Sequence, residues 1–178
     1  MRKILLLNGC PSSGKDTIAN YLVEKHGYKT IAFKDQAYVS VCTHFQITHD
    51  EYMELYNDRS KKDTPVEKLG NRSPRKAMQY VVEEVKKPVL GKDYLAKYTL
   101  DIVLKDVYND YVISDLGLEE EENAVHKMLK DENYKIIYIN RDGFDFTNDT
   151  RSKRNKIDIE INNDGSLNTL YEKCDELI

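Results

Sequence analysis

The sequence predicts an α/β protein with a parallel sheet between two layers of helices. Apolar segments of strand length alternate with amphipathic segments of helix length, and this order is typical of βαβ units with right-handed crossovers. A length of 178 residues is enough for one domain with a substantial core and short for two. We therefore expect one three-layer domain over residues 1–178.

The strands are short apolar runs. Arg2–Asn8 contains the longest of them, Ile4–Leu7, and should be a buried strand. Further strands are predicted over 28–33, 111–114, 135–140 and 157–161. A run of four apolar residues is too short for a membrane span or a signal peptide, so we expect a cytoplasmic protein.

The helices show apolar residues three and four positions apart and recognisable ends. Ser73 before Pro74 favours a helix start, and Pro88 with Gly91 favours a stop. Four glutamates, Glu119–Glu122, suit the positive N-terminal end of another helix. The remaining helices are predicted over 16–26, 35–45, 50–56, 93–107 and 166–177.

The charge is unevenly distributed. The net charge of −4 argues against a general nucleic-acid or anionic-membrane binder. Residues 59–92 nevertheless hold ten basic and four acidic side chains, a charge of +6 that leaves −10 for the rest of the chain. A second basic cluster follows at 151–156. Both segments could bind small anions.

Cysteine and histidine do not form metal-like patterns. The three cysteines, Cys10, Cys42 and Cys174, have no CxxC spacing, so a disulfide scaffold or a zinc cluster is not expected. The four histidines are equally scattered.

A glycine-rich loop directly follows the first strand. Gly9-Cys10-Pro11-Ser12-Ser13-Gly14-Lys15 matches the Gly-x4-Gly-Lys pattern and precedes an amphipathic helix. Such a loop points its N–H groups at phosphates, and its lysine reaches the β and γ phosphates. The predicted fold is therefore the three-layer P-loop NTPase fold. The predicted ATP-phosphate ligands are Gly9, Ser12, Ser13, Gly14, Lys15, Asp16 and Thr17.

The residues after the loop lysine depart from the usual metal-binding pattern. A Ser or Thr normally follows the lysine and binds Mg²⁺, but Asp16 stands there and Thr17 comes next. Thr17 could supply the hydroxyl, while Asp16 either holds the metal through water or caps the helix. Asp115, predicted to end the central strand, could orient Mg²⁺, pair with Lys15 or simply cap the strand end.

A GTPase is disfavoured. Asn155-Lys156-Ile157-Asp158 matches the guanine-reading NKxD pattern, but it precedes a predicted strand, whereas in GTPases it follows one. The sequence also contains no Asp-x-x-Gly.

Several motifs in order resemble the bacteriophage deoxynucleoside monophosphate kinases, a branch of the nucleoside monophosphate kinase group. They are Gly14-Lys15-Asp16-Thr17, Ser73-Pro74-Arg75 with Gln79, Ser114-Asp115 followed by Glu121, Arg141, and Asn163-Asp164-Gly165-Ser166-Leu167. The resemblance implies transfer of the γ-phosphoryl of ATP to a deoxynucleoside monophosphate with Mg²⁺, in the host cytoplasm if a phage encodes the protein. It places adenine near Asn163, Asp164 and Gly165.

Three features depart from that family. Gly117 stands where an Asp-x-Arg motif would place its arginine, and Tyr38 stands where a lysine is usual, with Lys34 four residues earlier. Lys86 and Lys87 follow the helix that begins at Ser73, where an arginine is common. These departures leave the accepted base and individual phosphate contacts open.

The acceptor should bind in a helical insertion over about 35–95. Arg72 and Arg75 would hold its monophosphate through paired hydrogen bonds, and Gln79 could read the base. Lys34, Asp35 and Tyr38 complete the predicted acceptor set, and Tyr38, Tyr52 and Tyr94 could stack on a base. The competing interpretation is that Arg75 and Gln79 are solvated and the tyrosines pack.

The loop 141–156 is predicted to be a short lid. Arg151 and Arg154 would close over the transferred phosphoryl with Arg141 at the hinge, so that these arginines and Lys15 form the catalytic set. A plain solvated charge run is the alternative.

Other functions stay open. The chain could be another small-molecule P-loop kinase, acting on a nucleoside or dephospho-coenzyme A, or a nucleotide-binding regulatory protein without turnover. The expected partners are nucleotides, not nucleic acid or membranes. The sequence leaves open whether the protein forms a homodimer.

Overall fold

Five parallel strands lie at the centre of the protein, which we describe from a computed structural model for residues 2–147 and 149–177. Their order across the sheet is β2-β3-β1-β4-β5, and all four strand pairs are parallel. The strands are β1 Ile4–Gly9, β2 Lys29–Ile31, β3 Tyr111–Leu116, β4 Tyr134–Asn140 and β5 Ile159–Asn162. The predicted parallel α/β fold is confirmed.

The central strand β1 is buried on both faces. Leu5 and Leu7 pack in one core cluster with Ile18 and Leu22 of α1 (Lys15–His26) and Leu170 of α8 (Leu167–Asp175). Successive side chains of a strand point to opposite faces, and the alternate residues Ile4 and Leu6 are also fully buried. Helices therefore cover both faces of the sheet, which gives three layers.

The remaining α-helices are α2 Phe33–Phe45, α3 His49–Asn57, α4 Pro74–Gln79, α5 Lys87–Leu90, α6 Tyr94–Lys105 and α7 Glu119–Met128. Some helices begin at good capping residues or end at a glycine. The Thr48 hydroxyl accepts from Glu51 N at the start of α3, and Ser73 caps α4 by accepting from Lys76 N. Gly27, with a φ of 71°, ends α1. In the described ranges, no helix is both long enough and apolar enough to cross a membrane.

The chain divides into two compact units. One comprises Met1–Phe33 with Thr99–Ile178 and contains the sheet, and the other is Lys34–Tyr98. The second unit has its own core, in which Tyr52, Leu69, Ala77 and Val81 are fully buried. The role of the 35–95 region in acceptor binding stays a prediction.

One strand position was predicted wrongly, and one helix contains a π-helical part that was not predicted. The helix that begins at Pro74 continues as a π-helix over Tyr80–Lys86 and then as α5, and it ends just before Gly91, in agreement with the stop predicted from Pro88 and Gly91. Pro88 is tolerated because it lies in the first turn of α5. Asp115 does not end the central strand, since β3 lies beside β1 and runs on to Leu116.

Candidate active site

The glycine-rich loop has the geometry that its sequence predicts. It joins β1 to α1, and Gly14 has a backbone φ of 108°, which residues with a side chain rarely adopt. A Cβ atom on Gly9 would lie 2.6 Å from both the Ile139 carbonyl oxygen and the Ser13 hydroxyl. The Ser13 hydroxyl is buried and has no hydrogen-bond partner within the described part of the chain. The loop is therefore tightly built and still has an uncommitted donor.

Lys15 is folded against the base of this loop. Its Nζ donates to the carbonyl oxygens of Gly9 and Cys10, each at 2.7 Å, and the residue is 8% exposed. Burial lowers the pKa of Lys15, and the nearby Arg151 lowers it further. The loop thus contains a cation that main-chain oxygens hold in place.

A cavity of about 330 Å³ opens beside the loop. It brings together the phosphate loop, the residue after β4 and the loop after β5. Its lining comprises Ser12, Gly14, Lys15, Asp16, Thr17, Arg141, Asn163, Gly165, Leu167 and Leu170. Leu167 and Leu170 were not among the predicted site residues. They lie three residues apart in α8, directly after the predicted adenine-side loop, and this spacing was the signal for an apolar wall.

Two side chains connect the later loops to the phosphate loop. Asn163 Nδ2 donates to the Ser13 carbonyl oxygen at 2.9 Å, and Arg141 Nη1 donates to the Ser12 carbonyl oxygen at 3.0 Å. Asp164 accepts from the main chain of Asp142 at 2.7 Å, which ties the loop after β5 to the loop after β4. The three segments that line the cavity are therefore fixed to one another.

The predicted metal ligands lie in different surroundings. Asp16 and Thr17 line the cavity, whereas the Asp115 carboxylate accepts from the main chain of Phe33 at 2.8 Å, where α2 begins. In the described residues, no three His, Cys, Asp or Glu side chains group as a metal site. Mg²⁺ commonly takes one or two protein oxygens together with substrate phosphates and water, so Asp16 and Thr17 fit such an ion.

The segment 141–156 has an exposed part and an anchored part. Residues 142–145 are exposed, but Glu122 Oε1 accepts from the main chain of Asn155 and Lys156 at 3.0 and 2.9 Å. Glu122 is buried, which is unusual for a carboxylate, and these hydrogen bonds stabilise its charge in the interior. The end of the predicted lid is thus fixed to α7.

Arg154 lies inside this anchored part. Its guanidinium is 3.8 Å from the Glu122 carboxylate, and both side chains are almost fully buried. Its main-chain N–H donates to the Asn8 side chain at 3.0 Å, and its Nη2 donates to the Ser152 hydroxyl. This placement does not fit an arginine that closes over a phosphoryl group, because the guanidinium is committed to the interior.

Arg151 is placed differently. Its Nε and Nη2 donate to the two oxygens of Asp149 at 2.9 and 2.6 Å. This pairing raises the pKa of Arg151, and Asp115 and Glu121 add smaller contributions of the same sign. Arg151 also acts electrostatically on Lys15. Of the two lid arginines, Arg151 is therefore the one whose charge acts on Lys15 of the phosphate loop.

The predicted acceptor residues lie in the Lys34–Tyr98 unit. Arg75 is exposed and its Nε donates to Asp63 at 3.0 Å. The Arg72 guanidinium lies 3.9 Å from the centre of the Tyr80 ring. Gln79 is exposed, as is Lys34, and Asp35 is half-buried. These placements leave the arginines and Gln79 accessible to a ligand.

The tyrosines proposed for base stacking are packing residues in two cases. Tyr52 is fully buried and donates to the Pro74 carbonyl oxygen at 2.9 Å, and Tyr94 is 2% exposed. Tyr38 is 7% exposed, and its ring lies 5.9 and 5.1 Å from those of Tyr52 and Tyr56. Sequence alone could not separate these alternatives, because half-buried and core tyrosines have the same local pattern.

Comparison with known proteins gives one related sequence and many related folds. No family model matches the chain. A protein of Acanthamoeba polyphaga mimivirus, named "Putative deoxynucleotide monophosphate kinase", is 26% identical over 133 residues, which cover 68% of this chain and 67% of that protein. The bacteriophage part of the resemblance is not supported, since this relative comes from a virus of another kind.

Two solved structures illustrate the fold. The dephospho-CoA kinase of Campylobacter jejuni has a TM-score of 0.52 at 16% identity, covering 99% of this chain and 96% of that one. The APS kinase CysC of Mycobacterium tuberculosis, in complex with AMPPNP and APS, has a TM-score of 0.52 at 12% identity over the same shares of the two chains. At such identities the likeness concerns the fold alone. The chain has the fold of the P-loop kinases that act on small molecules.

Proposed function

We propose that this protein is a deoxynucleoside monophosphate kinase, which transfers the γ-phosphoryl of ATP to a deoxynucleoside monophosphate and releases ADP and the diphosphate. The observation that carries the proposal is the cavity in which a phosphate loop, its lysine and two later loops meet. The mimivirus relative supports the choice of acceptor class. The acceptor residues rest on the family resemblance.

ATP binds with its phosphates on the loop Gly9–Thr17. The loop N–H groups and the Ser13 hydroxyl are available as donors, and Lys15 exchanges its carbonyl partners for phosphate oxygens. The adenine extends along the cavity between Arg141 and the apolar wall of Leu167 and Leu170. A planar guanidinium and leucine side chains suit the face of a base.

Asp16 and Thr17 would hold Mg²⁺, since both line the cavity together with Lys15. The ion would supply positive charge that neutralises the phosphates of the nucleotide. Asp115 has a structural role instead, because its carboxylate accepts a hydrogen bond from the main chain at the start of α2.

The acceptor monophosphate is bound by Arg72 and Arg75, and Gln79 contacts its base. Lys34, Asp35 and Tyr38 belong to the same region. The ion pair of Arg75 with Asp63 is exposed and therefore weak, so a phosphate dianion can replace Asp63. The catalytic group comprises Lys15, Arg141 and Arg151, with the exposed part of 141–156 as the lid that excludes water.

A coupled assay of ADP release tests this function. Purified protein is mixed with ATP, Mg²⁺ and each of a panel of deoxynucleoside and ribonucleoside monophosphates, and Lys15→Ala serves as the control for contaminating kinases. We expect at least one deoxynucleoside monophosphate to raise ADP release well above the rate with ATP alone.

Two further acceptors separate the alternatives. A response only to a nucleoside or to dephospho-coenzyme A would replace the proposal by another small-molecule kinase. Binding of ATP without ADP release from any acceptor would favour a regulatory nucleotide-binding protein.

A further inference from the structure

Gly117 follows β3 and is required there for space. A Cβ atom built on Gly117 would lie 2.5, 2.6 and 2.8 Å from Cγ, Cδ and Cβ of Arg151. Carbon atoms that are not bonded pack at about 3.5–4.0 Å, so no side chain fits. Gly117 does not have a left-handed φ, so backbone conformation is not the reason for the glycine. The stem of Arg151 runs through the space that a side chain at 117 would fill.

The main chain around Arg151 is held in this position. Ser152 N donates to the Gly117 carbonyl oxygen at 3.1 Å. Asn8, at the end of β1 and fully buried, donates to the carbonyl oxygens of Leu116 and Ser152 at 2.9 and 3.0 Å and accepts from Arg154 N. One buried amide therefore ties the ends of β1 and β3 to the Arg151 segment, which fixes the path of the arginine past Gly117.

The guanidinium at the end of this path has an anionic partner and a cationic neighbour. Asp149 binds it through both oxygens, and Lys15 is close enough for Arg151 to disfavour its charge. Two partly buried cations beside a phosphate loop are stabilised by a bound anion. Asp149 neutralises one of them in the structure described.

We propose that Gly117 is a positioning residue, whose missing side chain lets Arg151 reach the phosphate loop, where Arg151 binds the terminal phosphates of a nucleoside triphosphate in exchange for Asp149. The inference deepens the proposed function and rests on its assignment of ATP to the cavity. It does not depend on the identity of the acceptor.

A double-mutant cycle tests the coupling. The affinity of wild type, Gly117→Ala, Arg151→Ala and the double variant for a non-hydrolysable ATP analogue is measured by calorimetry with Mg²⁺. Loss of a charge-assisted contact to phosphate weakens binding about tenfold or more, so Gly117→Ala and Arg151→Ala should each show this loss. In the Arg151→Ala background, Gly117→Ala should add less than about a twofold effect, because the two changes remove the same contact.

A matched control separates charge from position. Lys153→Ala removes an exposed cation two residues away that pairs with Glu160. The affinity of this variant for the ATP analogue should stay within about twofold of wild type, because exposed pairs contribute little.

Binding of AMP gives a second readout. If Arg151 contacts the terminal phosphates, Arg151→Ala lowers the affinity for the triphosphate analogue and leaves the affinity for AMP unchanged. This comparison stays available if Gly117→Ala alone does not fold.

Each other outcome has a distinct meaning. The inference would be overturned if Gly117→Ala lowered the affinity for the analogue equally in both backgrounds. It would also be overturned if Arg151→Ala lowered the affinities for AMP and for the triphosphate analogue equally. Either result would leave the proposed function standing. Failure of the wild type to bind the analogue would overturn both. A successful cycle with no turnover of any deoxynucleoside monophosphate would overturn only the acceptor assignment.

Discussion

Asn163 donates from its side-chain amide to the main-chain oxygen of Ser13, and the glycine at position 14 makes this contact possible. A Cβ atom at Gly14 would lie 2.5 Å from Asn163 Nδ2. The two residues of the hydrogen bond are 150 positions apart in the chain. The loop after β5 is therefore attached to the phosphate loop itself, and a nucleotide that contacts both meets a preformed surface.

Asn163→Ala should weaken nucleotide binding moderately. The hydrogen bond is partly buried, and its loss typically costs about 1 kcal/mol, or about fivefold in affinity. Calorimetry with a non-hydrolysable ATP analogue measures this. The neighbouring Asn162→Ala, which removes an exposed side-chain contact with Asn140, is the control and should stay near wild type. Equal affinities for both variants would show that the attachment does not contribute.

Lys15→Ala should abolish most turnover. The lysine is the cationic side chain of the loop that we assign to the β and γ phosphates, and charge stabilisation of this kind accounts for about a hundredfold or more in rate. Steady-state ADP release measures the effect, and a thermal unfolding midpoint near that of wild type shows that the loop remains folded. Turnover within tenfold of wild type would contradict the role.

Arg75→Ala should raise the KM for the monophosphate more than the KM for ATP. The Arg75 side chain is exposed and pairs with the exposed Asp63, so its loss should not disturb the fold. The adjacent Lys76→Ala, which removes an exposed cation, serves as the control. The reverse pattern of KM values would move Arg75 out of the acceptor site.

Glu121→Gln should change how stability depends on pH. Burial, with Asp115 as a second cause, raises the pKa of Glu121 to about 7 from an ordinary value near 4.5. Between these values the folded state holds more protons than the unfolded state, so wild-type stability falls as pH rises. A glutamine keeps an acceptor for the N–H groups of Gly117 and Leu118 but does not ionise.

The stability of Glu121→Gln relative to wild type should therefore increase from pH 5 to pH 8, by roughly 1–3 kcal/mol. Urea unfolding at several pH values measures the free energy of unfolding of both proteins. A difference that does not change with pH would mean that the carboxyl group ionises as in water.

Tyr52→Phe should destabilise the Lys34–Tyr98 unit. The Tyr52 hydroxyl is buried and bonded to the Pro74 carbonyl oxygen, and its removal leaves that acceptor without its donor at a cost of about 1–2 kcal/mol. Tyr98→Phe, at a position 54% exposed, is the matched control and should have little effect. Thermal unfolding distinguishes the two variants.

The sequence predicts the features that depend on neighbours along the chain. The phosphate loop is recognisable because the glycine spacing, the preceding strand and the following helix lie within 26 residues. The strands β1, β3 and β4 are also recognisable locally, since each contains a short run of apolar residues.

Features that depend on distant partners could not be predicted in this way. Arg154 belongs to a basic cluster in the sequence, yet it is buried because Glu122 lies beside it in the fold. Asn8 looks ordinary in the sequence, and Gly117 is noticed there only as a departure from a family pattern; their roles appear only when β1, β3 and the Arg151 segment meet. The π-helical part of the helix that begins at Pro74 was not predicted, because such a turn has no clear sequence signal.

The hydrogen bonds of Asn8 also have a consequence for the order of events during synthesis. The phosphate loop leaves the ribosome early, but the partners of the Asn8 side chain lie 108 to 146 residues later in the chain. Until the polypeptide has grown past Arg154, this amide lacks two of its three internal partners, the Ser152 carbonyl oxygen and the Arg154 N–H, and burying it would be costly. We therefore expect a nascent chain arrested before Ser152 to bind no nucleotide, so that ATP stabilises only copies whose translation has passed this point.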